Sequence, residues 1–327
     1  MKQVIYFICF TLLLLNSVAN ANVHPKQQQT EETISKLYHR LQDIPNLDMA
    51  ARLDTISAQF LGRAYLLGAL GEGVKARFDQ APRYRVDAFD CDTYVTTVLA
   101  LALANNPKEF KQCLAKIRYK DGRVTYTSRN HFTSIDWNKN NQAQGFIKDI
   151  TETFKDRNNN PVSITASTLI DKPSWYAHHT IKNIRLISQN EEERSKRLQE
   201  LQTRGANLPK TISQVPYIPF TALFDKNGQA NRHLFAQIPN AAIIEIVRPD
   251  WNLRKVIGTN LNISHLGFAF WRNGVLLFRE ASSTYGRVVD VPLIDYLHEM
   301  RNSPTIKGIN VQIVIPQQPL PEGCKAI

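Results

Sequence analysis

The sequence has no H-E-x-x-H and no C-x-x-C spacing, so neither a zinc site nor any other metal is expected. The adjacent His178 and His179 do not replace one. Read on a strand, neighbouring side chains point to opposite faces and make poor joint ligands. No cofactor is expected either. Beyond the first residues, no stretch reaches the roughly 20 apolar residues that a membrane span needs. Internal repeats and low-complexity tracts are also missing. The 40 lysines and arginines outnumber the 29 acids, for a net charge of +11, but they are scattered. They form no basic helix and no aromatic–basic alternation of the kind that reads nucleic acid, so nucleic acid is not an expected partner. A basic surface is drawn to anionic cell wall or lipid headgroups, and charge alone does not choose between them.

What is present begins with an address. Met1-Lys2 is a short basic start, Val4 to Leu15 is an apolar run containing Cys9, and Ala19-Asn20-Ala21 is an A-x-A cleavage site. This predicts a signal peptide over residues 1–21 and export of the remainder, to the periplasm in the first instance. Removal takes away Lys2 and no acid, so the net charge falls from +11 to +10. Cys91, Cys113 and Cys324 then remain. An odd count in an exported protein points to a free thiol beside one disulfide. Cys113 with Cys324 is the pairing that leaves Cys91 free, and whether they pair stays open because sequence carries no geometry.

After a helical lead over residues 22–59, one large domain is expected over 60–327. Leu53, Ile56, Phe60, Leu61 and Ala64 form a helical stripe. Lys108 to Ile117 reads as a helix and Arg123 to Thr127 as a short strand. Glu191 to Arg204 reads as a charged helix, a solvated excursion near residues 188–206 that Gly205 ends. Ala241 to Val247 reads as a buried strand.

The chemistry gathers in two places. In Tyr84 to Leu103 (YRVDAFDCDTYVTTVLALAL) Asp90 reads as the N-cap of a buried helix, and Val95, Val98, Leu99, Ala102 and Leu103 mark its packed face. Asn105-Asn106-Pro107 stops it. Cys91 falls in the first turn, where unpaired N–H groups and the helix dipole favour a thiolate. The plainer reading is a buried small hydrophobe, which the polar neighbours Asp90 and Asp92 oppose. Far along the chain, SHLGFAFW and VLLF flank Asn273-Gly274, a strong hairpin signal. Counting outward from that turn puts Gly267 opposite Glu280 and His265 opposite Ser282, all four on one face. Glu280 is then diagonal to His265, a base–orienter pair of the kind that activates cysteine or serine. Between the two lies Arg129-Asn130-His131-Phe132, with Asp136-Trp137 just beyond, a set suited to sugars and carboxylates; an ordinary surface loop with an anchoring tryptophan is the competing reading.

These segments, F-D-C-D-T-Y-V at 89–95, R-N-H-F and D-W within 129–137, S-H-L-G-F, and L-F-R-E-A-S, resemble the N-acetylmuramoyl-L-alanine amidase-like family of NlpC-type, papain-like cysteine amidases. Two positions differ from many relatives: Glu280 stands where a histidine is common, and Asp92 where many NlpC-type peptidases carry serine. The resemblance implies a papain-like α+β fold, a nucleophile helix packed on an antiparallel sheet, and a peptidoglycan or muropeptide substrate cut between the muramic acid lactyl group and L-alanine. It implies Cys91, His265 and Glu280 as catalytic residues. Tyr84 (on the oxyanion side), Asp90, Arg129, His131, Asp136, Trp137 and Ser282 become substrate-contact candidates. An NlpC-type peptidase or acyltransferase, or a non-catalytic wall-binding protein, is the alternative. Oligomeric state is not legible.

Overall fold

The structure, a computed structural model, describes residues 27–44, 47–188 and 190–325; the expected signal peptide with Cys9 lies outside them. α1 spans residues 27–42, and α2 (Met49–Ala58) starts at Asp48, whose side chain accepts the Ala51 N–H. Two short strands, β1 (Ala64–Tyr65) and β2 (Ala88–Phe89), lead into α3 (Cys91–Leu103). α4 (Pro107–Arg118) begins with proline in its first turn and Asn106 as its cap, where a missing N–H is harmless. α3 has a run of β-branched residues with poor helix propensity, but everything from Thr93 to Leu103 is buried. At about 1.5–3 kcal/mol for each large apolar side chain, burial outweighs propensity losses of a few tenths per residue. The result is a helix held rigidly on all sides.

The rest of the chain builds the sheet. The remaining strands are β3 (Ile147–Asp149), β4 (Ile164–Asp171), β5 (Lys210–Pro219), β6 (Ala242–Asn252), β7 (Asn260–Arg272), β8 (Val275–Ser282), β9 (Arg287–Pro292) and β10 (Gly308–Val314). Their order is β2-β1-β9-β8-β7-β6-β10-β5-β4, with β3 against β10. Only β1 with β2 is parallel among the paired strands. Among the helices set into this half, the longer ones are α5 (Asn138–Ala143), α6 (Lys172–Ala177), α7 (Glu191–Ala206) and α8 (Leu293–Met300). Helices cover both faces of the central strands. Val98, Leu99 and Phe110 from α3 and α4 share a core with Leu266, Phe268 and Phe270. On the other face Leu293 and Leu297 of α8 pack with Ile244, Ala269 and Phe278. The fold is mixed α+β, with a curled, mainly antiparallel sheet.

Three expectations change. Residues 123–127 form no strand. Asp121 takes φ of 55° inside the first of two 3₁₀ turns, Lys120–Gly122 and Tyr126–Ser128, the second capped by Thr125. His178 and His179 lie at the end of α6 rather than on a strand; His179 is buried and meets the Tyr126 hydroxyl at 2.9 Å. The charged helix α7 is not simply solvated. Leu201 and Gly205 are buried, and a Cβ at Gly205 would stand 2.1 Å from the Tyr176 ring. One leucine and one glycine therefore dock an otherwise polar helix onto a small aromatic cluster of Phe78, Tyr126 and Tyr176.

Candidate active site

The first turn of α3 is fixed before any chemistry is considered. One carboxylate oxygen of Asp90 accepts the Thr93 N–H at 2.8 Å, and the Thr93 hydroxyl oxygen accepts the Asp90 N–H at 2.9 Å. The other oxygen accepts the Gly68 N–H at 2.7 Å. This capping box places Cys91 as the first helical residue, at the end where free N–H groups and the dipole favour negative charge. Cys91 is partly buried, and it is the free cysteine among the described residues. Cys113 and Cys324 are joined by a disulfide.

The hairpin supplies the partners. Asn273 and Gly274 both have positive φ, as a two-residue turn of this type requires. Arg272 pairs with Val275 and Phe268 with Arg279, the register counted from sequence. A Cβ at Gly267 would come within 2.7 Å of the Arg279 carbonyl and the Phe278 ring, so this close approach of β7 to β8 needs glycine. On the β6 side, Ile246 pairs with His265 but Val247 with Ile263. Ser264 is the extra residue of a bulge, a device that re-aims neighbouring side chains. The imidazole Nε2 of His265 meets Glu280 Oε2 in an ion pair, and Glu280 is almost wholly buried. The ring also packs edge-on to Phe278 at 5.9 Å. Burial opposes charge on His265, but the hydrogen-bonded Cys91 sulfur and the Glu280 carboxylate prevail and push its pKa up to about 10. Sulfur, imidazole and carboxylate stand in series.

Two tyrosines complete the surroundings. Burial, then Cys91, Asp90 and Glu280, push the Tyr65 phenol up to about 12. Burial, Glu280 and Cys91 raise that of Tyr296 on α8, whose ring lies 5.1 Å from Phe278. Neither residue stood out in the sequence. Tyr65 sits in a two-residue strand too short to show periodicity, and Tyr296 on an amphipathic helix looks like core.

The other expected contacts are placed elsewhere. Asp90 spends both oxygens on backbone N–H groups, so it positions the helix rather than a substrate. The Tyr84 hydroxyl donates to Glu31 on α1 at 2.5 Å, and its ring packs on Phe110. Tyr84 lines a cavity of about 650 Å³ between α1, α4 and the 73–87 loop, which Cys91, His265 and Glu280 do not line. Tyr65 and Tyr296, not Tyr84, are the phenols that the Cys91 sulfur influences. Arg129 gives its guanidinium to Glu72 and, at 2.8 Å, to Asp79. Arg185 also pairs with Asp79. A clamp for a substrate carboxylate is therefore already filled from within. His131 packs among Tyr126, Trp175 and Tyr176, and burial with the nearby Arg129 charge holds it well below its ordinary pKa. Asp136 accepts from Lys172 at 2.6 Å. Trp137, 1% exposed, donates through Nε1 to Thr96 of α3 at 3.0 Å; it braces the helix from behind. Ser282 is buried, and its hydroxyl accepts the Tyr285 N–H at 3.4 Å.

The scaffold is mixed α+β and sets a cysteine at a helix start beside a strand histidine and its carboxylate. The AmiA-like family, described as N-acetylmuramoyl-L-alanine amidase-like, matches residues 55–306, and the chain belongs to that family. A protein from Legionella pneumophila str. Philadelphia 1 is similar in sequence and structure. It is 56% identical, over 92% of this chain and 99% of that one, with a TM-score of 0.89. An N-acetylmuramoyl-L-alanine amidase from Bacteroides uniformis ATCC 8492 shares the fold at 23% identity, over 82% of this chain and 99% of its own, with a TM-score of 0.54. No curated protein matches the chain.

Proposed function

We propose that this protein is an exported, papain-like (NlpC-type) cysteine amidase that cleaves the amide between N-acetylmuramic acid and L-alanine in peptidoglycan or its fragments. The observation that carries the reading is His265 held between the Glu280 carboxylate and the Cys91 sulfur at the start of a buried helix. The Cys91 thiolate attacks the lactyl carbonyl carbon. Negative charge moves to the carbonyl oxygen, where N–H groups of the first turn and the Tyr65 phenol can receive it. His265 gives its proton to the amide nitrogen as the C–N bond breaks, and the peptide departs with a free alanine amine. His265 then takes a proton from water, whose oxygen attacks the thioester; the thiolate leaves, and the lactyl carboxylate is released. Glu280 keeps the imidazole oriented throughout and favours its charged form whenever it holds the second proton.

Replacement of Cys91 by alanine tests this. Hydrolysis of a purified disaccharide-tripeptide should vanish while the thermal midpoint stays close to that of the parent. Retained turnover would end the nucleophile assignment. Weighing the products decides which bond is cut: a released peptide beginning with alanine supports the amidase, whereas cleavage within the stem would make it a peptidase.

A further inference from the structure

A second arginine, unlike Arg129, is left without an anionic partner. Arg248 lies on β6, two positions beyond Ile246, the residue paired with His265. Its Nε donates to the hydroxyl of Ser264, the bulged residue next to His265, at 3.1 Å. Nη1 donates to the Thr305 hydroxyl, also at 3.1 Å. The guanidinium carbon lies 4.2 Å from the centroid of the Trp251 ring. Two hydroxyls and a ring face hold the planar group still, and none of them neutralises it. Among the described residues, no carboxylate stands within ion-pair distance of it. The nearby acids are spent: Asp250 accepts from Thr168 and Asn260 at 2.5 Å each, and Glu280 pairs with His265.

A half-buried cation with only neutral partners forgoes water without the compensation a counter-ion gives. Such an arrangement makes sense where a ligand brings the anion. Position agrees, because Arg248 bonds the residue next to His265 and lies two positions from its strand partner; Tyr296 senses both groups, its phenol raised by burial, Glu280 and Cys91 and lowered by Arg248. On the proposed amidase reading, the substrate is a peptide stem bearing free carboxylates. We infer that Arg248, stacked on Trp251 and fixed by Ser264 and Thr305, is the specificity residue that binds a stem-peptide carboxylate beside the Cys91–His265 pair. Nη2, together with the second N–H of Nη1, offers the planar two-point donor that suits a carboxylate.

The test is equilibrium binding of a disaccharide-tripeptide to the intact Cys91→Ala protein, with and without Arg248→Gln, using the free-acid stem and a stem with amidated carboxylates. Arg248→Lys is measured alongside, and melting curves check the fold of each. Loss of a charged hydrogen-bonded pair should weaken free-acid binding by about tenfold to a hundredfold. Lysine should recover part of it, and the amidated stem should be indifferent to the change. Equal weakening of both stems, or none, would overturn the carboxylate role of Arg248 while leaving the amidase intact. Failure of the Cys91→Ala parent to bind either stem would instead overturn the muropeptide reading, and the inference with it. If Arg248→Gln melts early, the comparison between arginine and lysine on the two stems decides.

Discussion

At the scale of single residues, Glu280 is the group whose removal is most informative. It is buried against the imidazole of His265, and it is one of the two anionic groups that raise the histidine pKa to about 10. A raised folded-state value means that the imidazolium persists through neutral pH and is lost only as the pH climbs towards that value. The alkaline limb of kcat/KM should therefore sit well above the ordinary histidine range. Glu280→Gln keeps the shape and removes the charge, so that limb should move to lower pH and kcat should fall with little change in KM. A pH–rate profile of both enzymes on one muropeptide checks this. A rise in KM alone, with the limb unmoved, would place Glu280 in substrate binding.

Among elements, the segment from residue 120 to 137 most needed the structure. Its arginine, histidine, aspartate and tryptophan look like ligand-binding residues because the same chemistry serves an internal network. Arg129 reaches back to Glu72 and Asp79 across more than 40 positions. Burial holds Glu72 above its ordinary pKa against the pull of Arg129, while Arg129 and Arg185 overcome burial and hold Asp79 below. Arg129→Met should destabilise the protein by about 3–5 kcal/mol, since it leaves buried Glu72 without its ion-pair partner and Asp79 with Arg185 alone. The urea midpoint measures it, and a silent substitution would return Arg129 to the surface. The contrast with the β7–β8 hairpin shows what a sequence can reveal. Asn273-Gly274 fixes a turn type, the turn fixes a register, and strand alternation places His265 and Glu280 on one face. The cap at Asp90 and the buried stripe of α3 are local signals of the same kind. Tyr65, Tyr296 and Arg248 meet the site only through long-range packing, and nothing in their own neighbourhoods announces it. Arg248-Pro249-Asp250-Trp251 did repeat the charge-and-aromatic pattern seen at 129–137, but pattern alone does not tell which of the two faces inward.

For the molecule as a whole, one covalent tie adds to what the packed sheet supplies. The Cys113–Cys324 disulfide links α4 to the C-terminal tail across a sequence separation of 211. In the loop-entropy picture a closure of that length is worth about 5 kcal/mol. Replacing both cysteines by serine should lower the urea midpoint accordingly. Reductant should lower the midpoint of the parent and leave that of the double variant unchanged; insensitivity of both would mean that the tie contributes little. The bond also turns most of the chain into a closed ring, with Cys91 and Tyr65 outside it and His265, Glu280 and Tyr296 on it. A protease that cuts the ring once, for example at the exposed turn around Asn159, produces an open strand and no free fragment. Both halves of the site then remain covalently one molecule after a break that would otherwise split a chain in two.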